Sequence, residues 1–172
     1  MWRFFFILFI CLLLTACGFQ LRGQSDDVVS SLRSIYIQTP DPYGPLTKTM
    51  RSVFKAEGVS IASDAKSAPY ILAVKRGETS IQSIGYGFSN QVSMNTVTYS
   101  FSYSLWSQQN TPLIPWRTVA TISNFTINTN QALMGTVIPG YLLADMRRNV
   151  VNQMIDQLNA WKLNENQARS TR

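Results

Sequence analysis

Residues 95–107 of the chain read NTVTYSFSYSLWS, and they alternate between apolar or aromatic side chains and small hydroxyl side chains. This period of two predicts a long β-strand with one buried face. We expect the aromatic face to pack on helices. The hydroxyl face carries no charge, and we expect it to face a partner, with three candidate contacts: Ser100, Ser102 and Ser104.

The segments on either side of this strand predict the other elements. Strands are expected at residues 32–38, at 70–84 and at 116–125, the last returning antiparallel after a polar turn at 108–112. Residues 59–68 are expected to form a loop, in which 59–61 could add a short edge segment. Two helices are predicted by apolar side chains at helical spacing, at residues 45–57 and 141–163.

The first predicted helix has clear ends in the sequence. Pro45 suits the first helical position because its missing N–H would have no partner there. Gly58 suits the position just after a helix, where a left-handed backbone is common. The resulting order is β-α-β-β-β-α. We therefore predict an α+β fold, a two-layer sandwich in which two helices lie on one face of a mixed four-stranded sheet.

The N-terminus reads as a lipoprotein signal. Arg3 is followed by an apolar run of eleven residues, 4–14, which is too short to span a bilayer because spanning takes about 20 residues. The run ends at Leu14-Thr15-Ala16-Cys17, which matches the bacterial lipobox. We expect residues 1–16 to be removed and Cys17 to carry lipid; the alternative is an ordinary secretory signal cleaved near Ala16. Gly18 after the cysteine favours the outer membrane over inner-membrane retention.

The domain organisation follows from this signal. A lipidated tether is expected at residues 17–31, a single domain at 32–163 and a flexible polar tail at 164–172. Multiple acyl chains would hold such a domain on a membrane almost permanently.

Composition limits the possible functions. The chain has no histidine, and Cys11, the one cysteine besides Cys17, lies in the segment expected to be removed. No nucleophile-and-base pair or metal-ligand cluster is recognisable, so we predict neither an enzyme nor a cofactor or metal site. The mature chain has a net charge of +5, from 14 basic and 9 acidic residues. In an envelope protein this charge fits anionic lipid or phosphorylated glycolipid better than nucleic acid, or it serves solubility alone.

The distribution of charge is uneven. Between residues 79 and 144 the only charged side chain is Arg117, whereas about 25% of the residues of a typical domain are charged. Long strands without charges are prone to edge-to-edge pairing. We therefore expect a permanent protein partner to cover them, although a tightly closed domain that tolerates serine and threonine in strands is the alternative.

Two short motifs carry a family resemblance. The sequence CGFQLR at residues 17–22 is similar to the start of the mature LptE lipoproteins of lipopolysaccharide assembly. The sequence DPYGPL at residues 41–46 resembles that family's turn into its first helix. Element order and length agree over essentially the whole mature chain.

The resemblance implies a location and partners. LptE proteins sit largely inside the lumen of LptD, an outer-membrane β-barrel; they assist its assembly and bind lipopolysaccharide on its way to the outer leaflet. For this chain, the resemblance implies a lipid-anchored protein on the periplasmic side of the outer membrane, partly within a barrel. Basic residues in loops contact lipopolysaccharide in some relatives, but the loops around Ser89 and Met134 lack them here. The remaining candidates are Lys75, Arg76 and Arg117, each of which could also be a solvated charge.

Two other functions remain open at this point. One is a stand-alone envelope lipoprotein that binds anionic glycolipid without a barrel, which predicts salt-sensitive binding. The other is a lipid-anchored hydrolase, for which the sequence offers no catalytic constellation.

Overall fold

The computed structural model describes residues 32–86, 92–128 and 137–170. These residues form β1 (Ser34–Gln38), α1 (Pro45–Ala56), β2 (Ser60–Ile61), β3 (Tyr70–Val74), β4 (Glu78–Tyr86), β5 (Val92–Ser107), β6 (Pro112–Asn128) and α2 (Gly140–Ser170). The signal segment, Cys17 and the tether predicted for residues 1–31 lie outside the described residues, as do the loops at 87–91 and 129–136.

All six of these strands belong to one mixed sheet. β1 runs parallel to β2 and to β3, as expected for strands joined through a helix. β5 is antiparallel to β6 along one side and to β3 and then β4 along the other.

The sheet has more strands than the four predicted from the sequence. The segment predicted as one strand at 70–84 is divided by Lys75, Arg76 and Gly77 into β3 and β4. The ladder does not break completely there, because the Lys75 N–H donates to the carbonyl of Ser102 at 2.9 Å. The second addition is the two-residue β2, which lies within the short edge segment considered for residues 59–61.

The helices and the sheet form the two predicted layers. α1 and α2 contact each other and pack on the aromatic face of β5, where Tyr103 and Leu105 are fully buried. Phe54 of α1 and Leu158 of α2 belong to the same core, and burying each such side chain stabilises the fold by about 1.5–3 kcal/mol. The predicted α+β class is confirmed.

The end of α1 follows the sequence signal. Gly58 has φ +74°, in the left-handed region. Its N–H donates to Lys55, and the N–H of Val59 donates to Phe54 at 2.9 Å. These two bonds satisfy carbonyl groups that the helix itself leaves unpaired.

Helix α2 is longer than predicted. Its expected end was near Leu163, but it continues to Ser170, so the first residues of the predicted tail are helical. Residues 161–170 contain no glycine or proline to end it, and Lys162 pairs with Glu165 one turn away at 3.0 Å. Neither described helix is long and apolar enough to cross a membrane.

Candidate functional site

The most unusual surface is a three-stranded arm, which we define as residues 78–86, 92–102 and 118–128. In it β4 pairs with the first part of β5, and β5 pairs with the last part of β6. Apart from Glu78 at its start, the arm contains no charged residue. Every side chain described from residue 78 to 84 is exposed.

Large apolar side chains are exposed on this arm. Ile84 is 56% exposed, Met94 48% and Ile122 68%. Single exposed apolar residues are ordinary on a protein surface. Their combination with long edge strands that carry no charge is not ordinary, because such edges readily pair with other chains.

Some of the polar side chains of the arm hydrogen-bond to one another. The hydroxyl of Thr96 donates to the side-chain oxygen of Asn124 at 2.9 Å, and Ser83 donates to Asn95 at 2.7 Å. Because these groups are neutral and already paired, covering them removes few hydrogen bonds to water. The desolvation cost is therefore far smaller than for exposed ions.

The three serines predicted to face a partner do not lie in the same environment. Ser100 and Ser102 are half-buried, and the Ser102 hydroxyl shares a 2.9 Å hydrogen bond with Thr118 on β6. Ser104 is fully buried and donates to the carbonyl of Ile114 at 2.7 Å. The register of β5 and β6 shifts beside it. In this structure Ser104 has no surface to offer a partner.

A basic groove lies where β3 passes into β4. Its volume is ≈ 520 Å³, and it brings together Lys75, Arg76 and Arg147 of α2. Arg117, the third cation predicted from the sequence, does not line it. Arg117 pairs across the sheet with Tyr103 instead. The structure therefore groups two of the three predicted cations with a third that the sequence did not single out.

Gly77 lets the groove form. A Cβ at this position would collide with the hydroxyl of Tyr99, which also lines the groove. Glycine is therefore required for the close approach of backbone and phenol, although its φ is not in the left-handed region.

Among the described residues, no carboxylate forms a salt bridge with a cation of the basic groove. Asp41 lines the same groove, but its carboxylate packs against Gly44 at the start of α1, where the helix dipole favours it. Three positive charges and one negative charge leave a positive field.

Two buried tyrosines lie close enough to arginines for the positive charge to affect their pKa values. Burial raises the pKa of the Tyr99 phenol, and the charge of Arg147 partly opposes that rise. Burial likewise raises the pKa of Tyr103, and there Arg117 is the opposing charge. Because its pKa is raised, the Tyr99 phenol stays protonated at neutral pH, so the basic groove offers a hydroxyl beside its cations.

The described residues contain no candidate metal site. Within ranges 32–86, 92–128 and 137–170, no group of three or more His, Cys, Asp or Glu side chains could hold a metal ion. The basic groove can bind an anion, and the uncharged edges of the arm can pair with another chain.

Comparison with known proteins agrees with this picture. The family described as "LptE: Lipopolysaccharide-assembly" matches residues 32–158. The LPS-assembly lipoprotein LptE of Pectobacterium atrosepticum is 35% identical over 79 residues, which cover 44% of this chain and 42% of that protein. That of Yersinia pestis is 34% identical over 76 residues, covering 42% and 36%. The match thus spans about two fifths of the length of these curated relatives.

A solved structure shows the same fold. The rare lipoprotein B of Shewanella oneidensis superposes with a TM-score of 0.64 at 13% identity, and the match covers 77% of this chain and 98% of that one. At that identity the likeness shows the fold alone.

Proposed function

The chain belongs to the LptE family of lipopolysaccharide-assembly proteins, and from this premise we propose that it is an outer-membrane lipoprotein that plugs the LptD β-barrel. In this role it helps that barrel to assemble and takes part in inserting lipopolysaccharide into the outer leaflet. Acylated Cys17 anchors it in the lipid on the periplasmic side. The role is one of binding and involves no catalytic step.

The arm is the observation that carries this proposal. Its edges are long and free of charge, and a barrel lumen would cover them on all sides. Three pairs of its neutral polar side chains hydrogen-bond to each other, and neutral groups cost far less to enclose than ions. Ile84, Met94 and Ile122 would lose contact with water at the same time, which favours the enclosed state.

Lipopolysaccharide is the proposed cargo, and the basic residues are its proposed contacts. Lys75 and Arg76 lie together in the basic groove, whereas Arg117 would meet the cargo elsewhere. Guanidinium groups bind phosphate through paired hydrogen bonds, which suits a phosphorylated glycolipid.

Site-specific cross-linking in intact cells tests the plug. A photo-reactive amino acid is placed at Ser100 or Ser102, whose half-buried side chains lie on the hydroxyl face, and at the exposed Ser52 of α1 as the control. We expect adducts with a large outer-membrane barrel from both β5 positions, and fewer adducts from Ser52. If neither β5 position yields a barrel adduct, the plug is wrong.

The basic groove favours a second candidate function: a stand-alone envelope lipoprotein that binds anionic glycolipid. Unpaired cations can bind such a ligand without a partner protein. It predicts salt-sensitive binding of lipopolysaccharide by the purified protein, abolished when Lys75→Ala, Arg76→Ala and Arg117→Ala are combined. Failure to co-purify with any barrel would favour this candidate over the plug.

A further inference from the structure

A groove lies beside the second half of β1, on the side where β2 ends. We call it the edge groove; its volume is ≈ 650 Å³, and it is lined by residues 36–39, 42–43 and 61–63 and by two cations of α1. In the described sheet β2 is the last strand, and it pairs only with Ser34 and Ile35. β1 continues to Gln38, so its last three residues have β3 on one side and the edge groove on the other.

The backbone of β1 has an open edge in this groove. Successive residues of a strand direct their N–H and C=O groups to opposite sides. The carbonyls of Arg33 and Ile35 both accept from the β2 segment, at Ser60 and Ala62 and at 2.9 Å, so the next residue that faces this side is Ile37. Among the described residues no strand continues the ladder past Ile35. An extended segment of another chain can pair with such an edge.

The two cations are Lys48 and Arg51. Their spacing of three residues places them on one face of α1. None of the described residues that line the edge groove is acidic. Asp64 follows the lining residues, but its carboxylate accepts from the N–H of Lys66. The open strand edge therefore lies beside a concentration of positive charge.

A rigid turn presents an aromatic ring at the same groove. Three prolines, at positions 40, 42 and 45, restrict the backbone of this turn. The Thr47 hydroxyl and the Gly44 N–H both donate to the carbonyl of Asp41, at 2.7 and 3.3 Å. Tyr43 is largely exposed on the turn and lines the edge groove. A tyrosine on an ordered backbone loses little conformational entropy on binding, and tyrosine and arginine are enriched at the centres of protein interfaces.

We propose that the edge groove binds an extended, acidic segment of a partner protein. The segment pairs with β1 at Ile37 as a short added strand and directs its carboxylates toward Lys48 and Arg51. An apolar side chain of the segment packs on Tyr43. Since β3 and β5 lie between β1 and β4, this surface is separate from the β4 edge of the arm, and the inference does not rest on the plug.

The combination of features favours a protein segment over a lipid headgroup. A phosphate headgroup would satisfy Lys48 and Arg51, but it has no row of N–H and C=O groups to pair with the edge at Ile37. An extended peptide supplies both, because its backbone meets the strand edge while alternate side chains reach the cations.

Calorimetry on the full-length acylated protein in a non-ionic detergent tests the proposal. The probes are the peptide EVEVE, its neutral counterpart QVQVQ, EVEVE with every internal amide N-methylated, and dihexanoyl phosphatidylglycerol. EVEVE should bind about tenfold more tightly than either other peptide, because one lacks the charges and the other cannot pair with the strand.

The variants Lys48→Gln and Arg51→Gln should each weaken EVEVE about tenfold. Lys55→Gln is the matched control and should leave the affinity unchanged, because Lys55 is exposed on α1 outside the edge groove. Tyr43→Ala should also weaken EVEVE, whereas Tyr43→Phe should retain most of the affinity. Circular dichroism checks that the variants fold.

Two results would overturn the proposal in this assay. One is equal affinity for EVEVE and QVQVQ, or for EVEVE and its N-methylated form. The other is a loss of phosphatidylglycerol binding in Lys48→Gln and Arg51→Gln without a loss of EVEVE binding, which would assign the cations to a lipid headgroup.

A carbodiimide, which joins an amine to a carboxylate in contact with it, tests the natural partner in isolated membranes. It should link Lys48 to an aspartate or glutamate of another chain and leave Lys55 unlinked. Equal linkage of the two lysines would contradict the proposal. Loss of barrel association in the wild type would count against the plug alone, because neither measurement uses the barrel.

Discussion

The ammonium of Lys162 on α2 donates a hydrogen bond to the phenol oxygen of Tyr70 on β3 at 3.1 Å. Only 8% of Lys162 is exposed, and its second partner, Glu165, lies at 3.0 Å. Trp161 packs edge-on against the Tyr70 ring, with 6.3 Å between centroids. These contacts hold the second half of the long helix against the sheet.

Replacing Lys162 by methionine should lower the stability of the domain. The substitution keeps much of the apolar volume but leaves Tyr70 and Glu165 without the ammonium, and we expect the free energy of unfolding to fall by about 1–2 kcal/mol. Urea unfolding followed by far-UV circular dichroism measures it. Lys48→Met, at an exposed position of α1, is the control and should change stability by less than about 0.5 kcal/mol. Equal effects of the two substitutions would show that the Tyr70 contact is not stabilising.

The same lysine should make stability depend on pH in the alkaline range. Burial lowers the pKa of Lys162, but the hydrogen bonds to Tyr70 and Glu165 and their charges outweigh it, so the pKa is raised above 10.5. Because the folded state holds the proton more tightly, this contribution is fully present below pH 10.5 and is lost as pH rises through the raised pKa. The stability difference between wild type and Lys162→Met should therefore be constant at neutral pH and shrink above that value. A difference that grows with pH would contradict this assignment.

Adding one methyl group at Gly77 should disturb the basic groove. In Gly77→Ala the new Cβ would collide with the Tyr99 hydroxyl, and displacing that buried phenol should cost about 1–3 kcal/mol. Gly140→Ala is a matched control, because nothing lies within 4 Å of a Cβ there. Thermal unfolding of the two variants compares them, and binding of lipopolysaccharide should weaken only in Gly77→Ala. If Gly77→Ala is as stable as Gly140→Ala, the close packing of Tyr99 is not needed.

Local sequence patterns predicted most of the fold because they report local physics. The alternation in β5 gave its buried face, and Gly58 gave the end of α1, since each depends on neighbours along the chain. The division of the segment 70–84 at Lys75 was not predicted. Charged residues occur both at the end of a strand and within an exposed strand, so the sequence alone does not tell the two cases apart. The alternation of side chains along β5 placed Ser104 on the exposed face. The register of β5 and β6 shifts beside it, and the side chain is buried.

The basic groove could be predicted only in part, for a similar reason. Lys75 and Arg76 were visible as an abrupt charged pair after an apolar strand. Arg147 was not, because helical periodicity places it beside Arg148 on the outer side of α2 and gives no sign that β4 and Tyr99 lie near one of the two. Met146, which precedes Arg147 and is buried in the core, was the one signal in the sequence that this turn of α2 lies against the sheet. Contacts between distant segments decide such a site, and one sequence does not encode them in a local pattern.

A single charge on the arm should separate the stability of the domain from its association with a barrel. Ile122 is 68% exposed, so Ile122→Lys should change the free energy of unfolding by less than about 0.5 kcal/mol. Inside a lumen the same ammonium would be desolvated without a partner, and a buried unpaired charge costs several kcal/mol. Co-purification with the barrel should therefore fall sharply for Ile122→Lys and remain for Leu163→Lys, a 48% exposed position on α2. Full barrel association of a normally folded Ile122→Lys variant would mean that the arm stays in water, and the plug would then have to be formed by another surface.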